Sequence, residues 1–183
     1  MAVCAKYIVA FAIVGRGTSR KAEVPTLPAL EQDGDTIAEG RLPQGCRDWK
    51  LVTVAREEGD IDDIRAILGN DVALDAFKAG AKQYPDGSII SRVAWALVAS
   101  EENNKAFGQQ QSFVAGPPKN GVQLLIKDSQ KYAATGGSGF FQFDDGRLPT
   151  ATSISKCHIC HTAVQDRDHV FSSYARRMSP CRC

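Results

Sequence analysis

The chain has 183 residues, 43% hydrophobic and 23% charged, which is enough for one domain with its own core plus a terminal extension. A formal net charge of +1 provides no excess of either sign, so electrostatically steered binding to nucleic acid or an anionic membrane is excluded as an expectation. Six cysteines are many for such a chain, and Cys157, Cys160, Cys181 and Cys183 crowd the C-terminal end, which points to a local chemical site rather than a disulfide framework.

In chain order, Lys6 precedes an apolar run from Tyr7 to Val14, followed by polar Gly15 to Arg20. That is the order of a short secretory signal, placed within residues 1–22; a buried N-terminal strand is the alternative. The run is too short for a membrane span, which needs roughly 20 apolar residues. Residues 23–41 read as a linker, 42–177 as the folded domain and 178–183 as a cysteine-containing tail.

Asp48 to Arg56 alternates as a strand. Asp60 to Leu68 carries Ile61, Ile64, Ile67 and Leu68, a spacing open to a helix or to a strand ending at Leu68-Gly69-Asn70. Asp71 to Ala81 is the best helix, with Asp71 as candidate N-cap and Val72, Ala73, Ala76 and Phe77 as its apolar stripe. Tyr84-Pro85-Asp86-Gly87 is a turn, and Ser88 to Val98 reads as a strand rich in β-branched and aromatic residues. Glu101 to Asn120, polar and carrying Gly-Pro-Pro, reads as a long loop. Val122 to Lys127 and Phe140 to Phe143 are two further strands, and Lys156 to about Gln165 a short helix. The fold class is therefore α+β, a small antiparallel sheet with a few helices.

Residues 157–161 read Cys-His-Ile-Cys-His and contain C-x-x-C-H, the attachment signal of c-type haem. Two thiols three positions apart on a helical turn can add to the two vinyl groups of the porphyrin, and the next imidazole then reaches the iron. Cys157 and Cys160 thus become cofactor attachment points and His161 the metal ligand. A zinc site drawing on Cys157, Cys160, Cys181 and Cys183 is an alternative, but C-x-C makes a poor second knuckle and leaves His161 without a role. A dithiol redox pair would sit at a helix start within a βαβ unit, and no such unit precedes it. His158 reads as a solvent-facing spacer, and His169 as a surface or rim residue.

Several stretches resemble the cytochrome P-460 and cytochrome c-prime-beta family: Arg47-Asp48-Trp49, Tyr84-Pro85-Asp86-Gly87-Ser88-Ile89-Ile90, Lys127-Asp128-Ser129 with Tyr132, Thr135-Gly136-Gly137, and Asp168-His169-Val170-Phe171 after the C-x-x-C-H. They follow the family's order from about Gly45 to Tyr174. The resemblance implies a β-rich haem fold, usually a homodimer, with an open or apolar distal face. Its members oxidise hydroxylamine or nitric oxide, or bind diatomic gases.

Departures from the family pattern bear on that choice. Arg92 stands where the hydroxylamine-oxidising members carry a lysine cross-linked to the porphyrin, and a protonated guanidinium is a poor nucleophile. Gln123 stands where they carry a distal carboxylate, and an amide accepts no proton near neutrality. Ordinary strand surface is the plain alternative for both. Ser138 replaces a tryptophan and Cys46 an aromatic residue. The expectation is a periplasmic or secreted c-type cytochrome with one covalent haem, binding a diatomic ligand such as nitric oxide or passing electrons to a redox partner protein. Phe140, Phe141 and Trp95 are expected to wall the haem, with Arg92 and Gln123 on its distal side. The rivals are a hydroxylamine- or nitric oxide-oxidising haem enzyme and a zinc-binding or structural protein.

Overall fold

The computed structural model describes residues 37, 40–43, 45–110, 113–148 and 153–174, with side chains from 156 onward in the last stretch. The signal and most of the linker assigned from sequence, Cys4, Cys181 and Cys183 lie outside the described residues. Five strands form one antiparallel sheet in sequential order: β1 (Lys50–Glu57), β2 (Asp63–Gly69), β3 (Ile89–Ala99), β4 (Phe113–Lys127) and β5 (Ser138–Phe143). Helix α1 (Asp71–Ala79) joins β2 to β3, α2 (Glu101–Phe107) joins β3 to β4, and α3 (Ser153–His161) follows β5 and runs into a 3₁₀ turn, Thr162–Arg167. The α+β class read from the sequence is the class observed, and Asp63–Gly69 resolves to a strand.

Helix α1 is capped by Asn70 rather than Asp71. The Asn70 side chain accepts from the Ala73 amide at 3.0 Å, while Asp71 points outward to Lys50 at 2.6 Å. Phase explains the choice. A cap at Asn70 turns Ala73, Leu74, Ala76 and Phe77 inward, where all four are buried. The helix closes at Gly80, whose φ of 67° is the left-handed conformation a C-terminal cap requires.

The loop expected over Glu101 to Asn120 is instead a helix followed by the first half of a strand. Ser100 accepts from the Asn103 amide at 3.3 Å, and Glu101 and Glu102 occupy the first turn, where the helix dipole favours anions. The Gly-Pro-Pro run lies within β4 because the ladder is irregular there. Pairing jumps from Val93↔Val122 to Ala94↔Lys119, so prolines meet β3 beside a bulge. Gly121, at the bulge with φ 56°, has no room for a side chain; a Cβ there would lie 2.0 Å from the Phe143 carbonyl oxygen.

Alternation along the strands gives the sheet two faces. On one, Ile67, Ile90, Leu125 and Phe140 pack with Val52, α1 and Val170, and Cys157 of α3 borders them. On the other, Ile89, Val122, Leu124, Ile126, Phe141 and Phe143 pack beneath Ile37, with Trp49, Tyr132 and Leu148 at the margin. Each fully buried side chain of this size contributes about 1.5–3 kcal/mol of hydrophobic stabilisation. Helix α1 packs against β1, β2 and β3 and α3 against β5, and the same face carries an open cleft.

Candidate functional site

The cleft has a volume of about 900 Å³ and is bordered by residues of β1 to β5, α3 and the segment after it. It brings together all five residues singled out by sequence: Cys157, Cys160 and His161 on one side, Arg92 and Gln123 on the other. Spacing along α3 accounts for the first group. Positions three and four apart share a helix face, so the two thiols and the imidazole look into the cleft while Ile159 is 72% exposed. Burial, followed by the neighbouring Cys160, pushes the Cys157 thiol above its ordinary pKa.

His161 is held from behind. Its Nδ1 lies 2.6 Å from the main-chain carbonyl oxygen of His169, and its ring sits between Phe140 and Phe171, with centroids 4.9 and 5.1 Å away. A carbonyl oxygen only accepts, so Nδ1 carries the proton and Nε2 keeps a free lone pair. Burial is the larger influence on this ring and holds its pKa below the ordinary histidine value, which favours the neutral form. A neutral imidazole fixed by a carbonyl is the arrangement a metal-ligating histidine adopts.

The opposite wall is polar and ordered. Register places Thr53, Ile67, Arg92, Gln123 and Gln142 in one cross-strand row, with Ala55, Arg65 and Ala94 in the next. The Arg92 guanidinium donates to Gln123 Oε1 at 3.2 Å, and Gln123 Nε2 donates to Gln142 Oε1 at 3.0 Å. Arg92 also pairs with Asp63, a carboxylate with no exposure, which accepts from Arg65 Nε at 2.8 Å. Arg65 reaches Glu57 at 2.5 Å. Burial, then repulsion from Arg65, lowers the Arg92 pKa, and Asp63 acts against both. A buried carboxylate without partners costs several kcal/mol, so two guanidiniums converge on this one. Arg92 and Gln123 are therefore partly buried members of a network rather than plain strand surface.

Sequence reading missed Asp63, Arg65 and Glu57. The available signal was the alternation Asp63, Arg65, Ile67, which puts all three on one strand face. Three expectations about neighbours need correction. Trp95 does not border the cleft, because three positions from Arg92 it belongs to the opposite face, between Ile64 and Pro118. His158 is half-buried against Phe140 and His169, with centroids 6.0 and 5.3 Å away, because α3 lies flat on β5. His169 is buried, at 5% exposure, and supplies the carbonyl that holds His161. Phe140 faces the cleft as expected; Phe141 borders it while its ring packs in the opposite cluster, 5.9 Å from Tyr132.

The Tyr84–Gly87 turn, the Lys127–Ser129 stretch and Gly136 meet around Asp168 and His169, whereas Trp49 lies at the margin of the opposite cluster. Asp86 of the P-D-G turn accepts from the Ser129 amide at 2.8 Å and its hydroxyl at 2.6 Å, and Lys127 forms a buried ion pair with Asp168. The residues present fit a c-type haem: two cleft-facing thiols, a neutral imidazole with Nε2 free, and an apolar floor of Ile90, Leu125, Phe140 and Val170. Cys157, Cys160 and His161 would hold it. Among the described residues no three histidine, cysteine or acidic side chains are clustered to hold a bare metal ion. The zinc alternative calls on Cys181 and Cys183, which lie outside the described residues. The family model described as Cytochrome P460 matches residues 43–172. No curated protein matches the chain.

Proposed function

From the premise that this chain belongs to the cytochrome P460 family, and so is a haem redox protein of that type in which a c-type haem is implied, we propose that it binds a diatomic ligand such as nitric oxide at the iron, or passes electrons there. The observation that carries this reading is the wall opposite His161. Gln123 has its oxygen engaged by Arg92 and its nitrogen by Gln142, so it offers hydrogen bonds and no base. Arg92, paired with Asp63, is a fixed cation. Such a wall can donate to a bound ligand atom, whereas oxidising hydroxylamine requires a group that removes protons, an advantage of about 10²–10⁴ in rate.

One observation favours the enzyme reading. Glu57 is a carboxylate that borders the cleft, although Arg65 engages it. In that reading Glu57 takes the substrate's protons in place of Gln123. For the ligand-binding protein we also propose attachment through Cys157 and Cys160, ligation by His161, export to the periplasm, where members of the family generally reside, a homodimer and a redox partner protein.

The test starts from protein matured in a periplasm. The polypeptide mass should include one haem, lost in the Cys157→Ser/Cys160→Ser variant. The spectrum should be that of an ordinary c-type haem, and the reduced form should bind nitric oxide. Hydroxylamine turnover should be negligible in the wild type and should appear in Gln123→Glu/Arg92→Lys. Sustained hydroxylamine-dependent reduction of an acceptor by the wild type, abolished by Glu57→Gln, would overturn the ligand-binding reading in favour of the enzyme.

A further inference from the structure

We infer that the buried Lys127–Asp168 pair is a positioning unit for the His161 imidazole, holding the backbone at 168–169 so that the His169 carbonyl stays on His161 Nδ1. This rests on the reading of His161 as the iron ligand. Asp168 and His169 are consecutive residues with φ of 55° and 65°. Neither is glycine, and each such residue in the left-handed region costs about 1–2 kcal/mol, so surrounding contacts must hold the segment there.

Those contacts come from three distant segments. Asp168 Oδ2 accepts from the Tyr84 amide at 2.8 Å, next to the P-D-G turn, and Oδ1 pairs with Lys127 Nζ at the end of β4. The same ammonium donates to the Gly136 carbonyl at 2.9 Å. Gly136 in turn leaves space for the His169 ring, since a Cβ there would lie 2.8 Å from Cε1. Asp168 and Lys127 are 3% and 7% exposed. A buried ion pair seldom stabilises a fold more than apolar residues of like volume, so its use here is better explained by geometry than by stability. What the geometry fixes is one carbonyl, and that carbonyl sets both the tautomer of His161 and the electron density its ring can share with iron.

Lys127→Met/Asp168→Asn tests this, because it removes both charges together and leaves neither buried alone. The measurements are the iron–histidine stretching band of the reduced haem protein, by resonance Raman, and the midpoint potential. Loss of the fixed carbonyl should move the band to lower frequency and broaden it, and should make the potential more positive, because a less basic imidazole favours ferric iron less. Asp86→Asn, which loosens only the link to Ser129, should leave both unchanged. Gly136→Ala, which presses on the His169 ring, provides a second route to the same shifts should the double variant not accumulate. A folded double variant, or a folded Gly136→Ala, with the wild-type band and potential overturns the inference. An iron–histidine band that persists in a folded, haem-loaded His161→Ala variant would instead overturn the ligation reading on which it rests.

Discussion

At the residue scale, Tyr84 shows how burial at this site becomes a measurable pH dependence. Burial, with the Asp168 carboxylate second, pushes its phenol up to about 12, against about 10 in an unfolded chain. Below pH 10 both states keep the proton and the native advantage is complete. Between about pH 10 and 12 the unfolded chain ionises first, so stability falls as pH rises, by about 2–3 kcal/mol in total. Urea unfolding across that window should show this decline, and Tyr84→Phe should flatten most of it. Tyr132, whose pKa is also raised, chiefly by burial, should account for the remaining slope. An unchanged decline in Tyr84→Phe would assign the alkaline loss to other groups.

At the scale of elements, the junction of β2, α1 and β3 depends on one side chain. Asn70 Oδ1 accepts from the Ala73 amide at 3.0 Å and the Ile89 amide at 3.1 Å, and Nδ2 donates to the Gly87 carbonyl at 2.9 Å. It therefore caps α1 and ties the helix start to the P-D-G turn and the first residue of β3. Asn70→Ala should cost about 2–3 kcal/mol, above an ordinary cap deletion, because two further buried backbone groups lose their partners. Asn70→Asp keeps the acceptor and should cost less. Denaturant midpoints for the two variants check the order, and equal midpoints would show that the helix start is set by packing of Ala73 and Phe77 alone. The shift of the cap by one residue from the sequence expectation has the same origin, since Asn70 and Asp71 are both good caps and only the position of the sheet selects the phase.

At the scale of the whole molecule, the sheet invests its two faces differently. The face carrying Ile89, Val122, Leu124, Ile126 and Phe143 is covered by the chain itself. The other carries α1 and α3 and a cleft whose floor includes Ile90, Leu125 and Phe140. A group that fills the cleft shields this apolar floor from water and stabilises the native state by binding it alone. The Cys157→Ser/Cys160→Ser variant, lacking the covalent group, should therefore melt lower than haem-loaded wild type by on the order of 10 °C. Equal melting temperatures would mean that the cleft face is stable without its occupant.

The sequence by itself determined the α+β class, most strands, the principal helix and the Cys157, Cys160, His161 constellation. These are written in local periodicities: alternate residues share a strand face, and residues three or four apart share a helix face. The start of α2 is written there too, in Ser100 followed by two acidic residues, whereas the Gly-Pro-Pro run enters β4 only through the bulge in its pairing with β3. Only the tertiary structure decided the rest. Arg92 finds Asp63 across 29 positions, and Lys127 finds Asp168 across 41. His169, which reads locally as a rim residue, is buried, with its backbone in a left-handed turn beside the Lys127–Asp168 pair. Strand register and the pairing of buried charges follow from which segments meet after the chain has closed loops of that length, and no short window of sequence carries that information.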